Sequence, residues 1–200
     1  MSEYNKILFQ ILNIYKYLIL NYNKLDENQI TDLYIEYLKL FVQIGTNNPE
    51  YSKDFDKYFL CNCYCYALGF KYPTLFHHIY KHITDEDFGH NIGFISKKDY
   101  IKDINMILET LYSDLDILKI SVYDSSINTH PKHGGYKISL FLENSGEDFH
   151  FIRQNYDGSW SDKIGYTSTI RQLDYPEPED LNYKHVKTIE IVKPVIKTLK

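Results

Sequence analysis

The stretch 148–165, DFHFIRQNYDGSWSDKIG, decides how the chain folds. Strand-like segments, DFHFIRQ and SWSDKIG, lie on either side of a turn. A three-residue loop, Tyr156-Asp157-Gly158, closes them into a hairpin, with Gly158 supplying positive φ. In that register His150 faces Ile164 and Ile152 faces Asp162. His150 and Asp162 then share a face as diagonal neighbours, within reach of a side-chain hydrogen bond. A two-residue loop would turn Asp162 to the other face.

Around the hairpin, YKISLFLE (136–143) is a further strand, and HVKTIEIVKPVIK (185–197) supplies one or two more. DSSINTHPKHGG (124–135) and RQLDYPEPEDLNYK (171–184) are expected as loops. Towards the N-terminus the period changes. Residues 3–22 place Ile7, Leu8, Ile11, Leu12, Tyr15, Leu18 and Ile19 at helical spacing. DENQITDLYIEYLKLFVQIG (26–45) repeats the pattern through Ile30, Leu33, Tyr34, Tyr37, Leu38 and Phe41, with Gly45 as its stop. NCYCYALG (62–69) starts a helix at an Asn62 cap and ends it at Gly69. YPTLFHHIYKHI (72–83) is a short amphipathic piece. SKKDYIKDINMILETLYSDLDIL (96–118) is the clearest helix, with Ser96 as cap and Tyr100, Ile104, Ile107, Leu108, Leu111 and Leu115 as its stripe. Helices first and antiparallel strands afterwards predict an α+β domain over 49–200, preceded by a helical pair over 1–48.

Two hundred residues and a net charge of −5 suit one ordinary domain, with no general pull toward nucleic acid or anionic membrane. No apolar run reaches the length of a spanning helix, and the N-terminus lacks the pattern of a signal peptide. The 20 tyrosines and single alanine reflect coding bias more than function.

All three cysteines lie in LCNCYCYALGF (60–70), at Cys61, Cys63 and Cys65. They do not form a disulfide framework and favour a reducing compartment. Zinc and redox sites prefer Cys-x-x-Cys, and on a helix residues two apart diverge by about 200°. No metal or cofactor is therefore expected. A thiol in the first turn of a helix gains from the oriented N–H groups there, and Cys63, directly after Asn62, has that position. Cys61 precedes the helix and Cys65 points elsewhere; three buried fillers is the competing reading. A thiol at a helix start, a histidine on a strand and a polar group on the next strand follow nucleophile–base–orienter logic. His77, His78, His82, His90, His130, His133 and His185 read as solvent-exposed polar residues. Lys187, Lys193, Lys197 and Lys200 form a sparse basic tail, not a nucleic-acid site. DYPEPED lacks the pattern of a calcium loop.

At these residues a resemblance enters. NCYCYALG, GGYKISLFLE and DFHFIRQNYDGSWSDKIG together resemble a papain-like group related to the NlpC-type cell-wall hydrolases, found in bacteria and large DNA viruses. Proteins of this kind carry NCYxYALG and, later, DYHxYRQxxDGxWSHKPG. The resemblance covers roughly residues 60–175 and leaves the N-terminal helices outside. It implies a cysteine-bearing helix packed on an antiparallel sheet that carries the histidine. By position, Cys63 would be the nucleophile and His150 the general base. The third polar residue lies on the next strand and is often histidine; here it is Asp162, and Ile164 replaces the proline. Ser161, Asn155 and Asp174 are alternatives for that role. The implied function is a cysteine hydrolase cleaving an amide or peptide bond in a peptide or protein substrate. The alternative is a catalytically inactive papain-like module binding a protein or peptide partner, with the N-terminal helices as docking surface. Trp160 and Tyr64 are candidate cleft residues, with aromatic packing as their default.

Overall fold

The computed structural model describes residues 1–51, 58, 61–70, 74–84, 91–99, 102–166, 169–178 and 182–196. Each N-terminal helix begins where a side chain satisfies its first amides. Ser2 Oγ accepts from Asn5 N at 3.2 Å to open α1 (Glu3–Asn21). Asp26 and Gln29 form a reciprocal capping box at the start of α2 (Glu27–Gln43). Leu18 of α1 and Ile30, Tyr34 and Leu38 of α2 are fully buried. Phe76 of α4 (Thr74–Thr84) packs on Tyr34 and Tyr37 with ring centroids 5.1 and 5.6 Å apart. The helical pair thus shares one apolar core with the rest of the chain.

Helix α5 (Ile104–Ile117) differs at its start from the expectation. Asp103 caps it, accepting from Asn105 N and Met106 N at 2.9 and 3.1 Å. Ser96 cannot, because Lys97 takes positive φ (54°) and turns the chain before the helix begins. Ser96 N instead donates to Asp114 Oδ1 at 2.7 Å. Tyr100 lies outside the described residues.

Among the described residues six strands form one sheet in the order β1-β6-β2-β3-β4-β5, every neighbouring pair antiparallel. They are β1 (Ser121–Ser125), β2 (Tyr136–Glu143), β3 (Phe149–Gln154), β4 (Trp160–Lys163), β5 (Ile170–Leu173) and β6 (Tyr183–Val192). The β3–β4 register pairs Ile152 with Asp162, and Gly158 has φ of 87°, as the hairpin reading required. The two expected loops each lose residues to strands. Asp124 and Ser125 belong to β1, Arg171–Leu173 to β5, and Tyr183 and Lys184 to β6. Both missed strands are sheet edges: SVYDS is largely exposed and IRQL is four residues long, so neither shows the alternation of a half-buried strand. The last segment is one strand.

The sheet has two different faces. Ile138, Leu140, Phe151, Ile189 and Ile191 meet the helices. Phe141, Ile152, Trp160 and Leu173 form a smaller cluster on the other face, over which Ile127 folds. The 126–135 segment is strapped there by two charged side chains. The Glu190 carboxylate accepts from the N–H groups of Lys132, His133 and Gly135 at 2.7, 2.7 and 3.0 Å. Lys137 Nζ donates to the carbonyls of Ser126, Ile127 and Thr129. Gly135 lies so close to β6 that an added Cβ would sit 2.0 Å from Ile191 O. Gly135→Ala is expected to cost about 1–3 kcal/mol of stability, read by urea unfolding. An unchanged midpoint would mean that the strap is not packed as described.

Helix α3 (Cys63–Ala67) has only five residues, too few to stand on its own hydrogen bonds. Its neighbours hold it. Asn62 Oδ1 accepts from Cys65 N at 2.9 Å, and Gly69 ends the turn with φ of 67°. Tyr64 OH donates to Asp114 Oδ2 at 3.0 Å, and Tyr66 OH bonds Ser161 Oγ at 2.8 Å. Arg153 lies beneath, its guanidinium 4.0 Å from the Tyr66 ring centre and its Nη1 donating to Tyr66 O at 3.1 Å. The short helix is therefore fixed from α5 on one side and from β3 and β4 on the other.

Candidate active site

Fixing α3 against β3 fixes Cys63 against His150. Cys63 is the first residue of the helix, and its Sγ lies 3.8 Å from Phe149 O, beside the start of β3. Strand alternation turns Phe151 and Arg153 toward α3, and His150, Ile152 and Asp162 to the opposite face. At the end of the strand the His150 ring still lies near enough to Cys63 for the thiol to help hold its proton on. Its Nε2 is 2.8 Å from Asp162 Oδ2, so Nδ1 is the nitrogen left to the thiol. Of the four residues considered for the orienting role, Asp162 is the one bonded to His150. Ser161 Oγ donates to Asn155 Oδ1 at 2.9 Å in a separate network, and Asp174 is exposed.

Asp162 is completely buried, and a lone carboxylate there would resist ionisation. A residue not anticipated from the sequence answers this. Arg171 on β5 donates from Nε to Asp162 Oδ1 at 3.0 Å and from Nη2 to Oδ2 at 2.5 Å. Burial pushes the Asp162 pKa up, but His150 and Arg171 outweigh it and hold the carboxyl below its ordinary value. Arg171 pairs directly across from Asp162. Recognising IRQL as a strand would have revealed it.

The His150 ring obeys the same balance. Burial alone would lower its pKa; Asp162 and Cys63 reverse that and raise it to about 9. The folded state then keeps this proton up to about pH 9, while an ordinary imidazole releases it near 6.5. The resulting stabilisation is complete below pH 6.5 and disappears as pH rises through 9. The share that Asp162 holds is less than about 3 kcal/mol, because a proton drawn from Cys63 leaves the number bound unchanged. Urea unfolding on both sides of that window should show the loss, and Asp162→Asn should remove most of it. A flat profile would contradict the coupling.

The other two thiols do not share this environment. Cys61 and Cys65 are fully buried, with their sulfur atoms 3.0 Å apart, and all three cysteines are free. Burial pushes the Cys65 thiol well above its ordinary pKa. Five residues build little macrodipole, so what α3 presents beside Cys63 is the oriented amides of one turn. Tyr64 and Trp160 are 1% and 7% exposed and pack in the two cores, so neither lines an open cleft.

Several polar residues differ from their exposed reading. His77 is buried in α4, whereas His133 is exposed as expected, stacked on Tyr123 and bonded to Glu190. Lys193 is buried between the Tyr136 and Phe70 rings. Burial and the nearby Arg153 charge lower its pKa to about 7, so it is not part of a basic tail. His90, Lys197, Lys200 and the end of DYPEPED lie outside the described residues. Among the described residues, no group of three or more His, Cys, Asp and Glu side chains is placed to hold a metal ion. No helix there is long and apolar enough to cross a membrane.

No protein-family model matches this chain, and neither a curated protein nor a solved structure matches it.

Proposed function

We propose that the protein is a papain-like cysteine hydrolase that cleaves an amide or peptide bond. The observation that carries this reading is the His150–Asp162–Arg171 chain of hydrogen bonds, set beside a thiol, Cys63, that helps hold the proton on the ring. Alternating charge from Arg171 through Asp162 to His150 supports an imidazolium beside the thiol in a buried site.

In this reading the imidazole takes the Cys63 proton at Nδ1 while Asp162 holds Nε2–H. The sulfur attacks the substrate carbonyl carbon, and the carbonyl π electrons move to oxygen. The Cys63 N–H, which the helix's own ladder does not use, stabilises that oxyanion. Collapse breaks the carbon–nitrogen bond, and His150 returns its proton to the departing amine. Water, deprotonated by His150, then attacks the thioester; the acid leaves and the thiol is restored. Every proton shuttles through one ring, which is why its orientation matters.

A second reading has one observation in its favour. Cys63 is 4% exposed, as suits a catalytically silent papain-like module that binds a protein or peptide. Alkylation with iodoacetamide, mapped by mass spectrometry and followed by a screen of amide and ester substrates, separates the two. The hydrolase reading expects Cys63 to react first, and turnover to fall in step with its modification. Preferential reaction at Cys61 or Cys65, with Cys63 inert, would overturn it.

A further inference from the structure

Helix α1 buries one face and leaves a second apolar face uncovered. Ile7, Ile11 and Leu18 point into the core. On the other side Phe9, Leu12, Ile19 and Leu20 are 57, 63, 58 and 67% exposed. At about 100° per residue these four fall within one arc of about 100°. Solvent-facing helix positions usually carry polar residues, so four large apolar side chains in one arc mark a surface that meets something. The arc continues into a groove of about 400 Å³ between the end of α1 and α4, lined by Ile19, Tyr22, Leu75, His78, Ile79 and His82.

The charge of this face selects what covers it. The chain as a whole carries −5, yet between Tyr4 and Leu25 the charged residues are Lys6, Lys16 and Lys24, with no acid among them. All three lysines are exposed. A second copy docked across a two-fold axis along this arc would bring the two Lys16 ammonium groups together with no carboxylate between them, which is unfavourable. An anionic lipid surface suits both features. It offers phosphate and carboxylate to the lysines, whose stems can snorkel, and an apolar boundary to Phe9, Leu12, Ile19 and Leu20. The exposed rings of Tyr17 and Tyr22 suit the headgroup level.

We propose that the outer face of α1, with the groove it shares with α4, docks the protein on an anionic lipid surface. Helix α1 lies in the plane of the headgroups, and α2 and the sheet stay on the water side. The docking face is independent of the Cys63 chemistry and does not require it.

The test is co-sedimentation of the full chain with vesicles of phosphatidylcholine alone and of phosphatidylcholine mixed with phosphatidylserine. Binding is expected to the mixed vesicles, to weaken with added salt, and to fall about fivefold with Lys16→Gln. Leu12→Ser with Leu20→Ser should reduce it tenfold or more, with an unchanged circular dichroism spectrum and melting temperature, since both positions are exposed. Equal binding to both vesicle types, no binding to either, or wild-type binding by the double serine variant would overturn the proposal. So would a dimer in solution that the double serine variant dissolves, because the face would then belong to a second copy.

Discussion

Asp162→Asn is expected to lower turnover, by less than the loss of about 10⁴-fold that the same change causes in a serine triad, while leaving Cys63 in place. An amide at this position presents either its oxygen or its NH₂ group to His150 Nε2, and it no longer stabilises the imidazolium. It also leaves the Arg171 guanidinium facing a neutral partner. Asp162→Ala goes further: it strands both His150 and Arg171, and should cost about 3–5 kcal/mol of stability. Turnover and urea unfolding measured on the same two variants distinguish the roles. The orienting role expects the asparagine variant to fold and to turn over more slowly. A folded, fully active asparagine variant would remove Asp162 from the site.

The second large effect lies under α3. Arg153 is fully buried, and among the described residues no carboxylate pairs with it; its charge is spread over the Tyr66 and Tyr58 rings and the carbonyls of Tyr66 and Glu50. It joins β3, α3 and the 49–51 segment through one side chain. Arg153→Ala leaves a large cavity and unpaired carbonyls, and is expected to destabilise the fold by about 3–5 kcal/mol. Arg153→Met fills most of the volume and removes a buried cation, so its cost should be less than half that of alanine. The methionine variant should also raise the pKa of Lys193 from about 7, because the neighbouring charge that helps lower it is gone. Equal losses in the two variants would mean that the hydrogen bonds, not the filled space, carry the effect.

The sequence exposes the parts of this architecture that rest on periodicity. The α2 stripe, the β3–β4 hairpin and its Gly158 turn are local patterns, and the structure contains each of them; of the α1 stripe, Ile7, Ile11 and Leu18 are buried while Leu12 and Ile19 face outward. The His150–Asp162 contact follows from one register choice, which the three-residue loop settles. What stays hidden depends on distant partners. Arg171 acquires its meaning only when β5 is placed beside β4. Asp114 looks like a surface residue of α5, yet it is fully buried and joins Tyr64, Gly93 and Ser96. Lys193 looks like part of a basic tail, but closes over aromatic rings. Buried charge is the common thread: its partners come from other elements, and no local pattern announces them.

The same distinction explains why one thiol stands apart. All three cysteines are nearly or fully buried, so burial does not separate them. Cys61 and Cys65 face each other and the Phe70 carbonyl. Cys63 alone among them bears on the proton of the His150 ring.

An NMR titration of the His150 ring tests the account most directly. In the native protein the ring should titrate near pH 9. Asp162→Asn and Cys63→Ala should each lower that value, since each removes a group that holds the proton on. A ring that titrates at or below the ordinary imidazole value, and responds to neither substitution, would contradict the coupling of Cys63, His150 and Asp162.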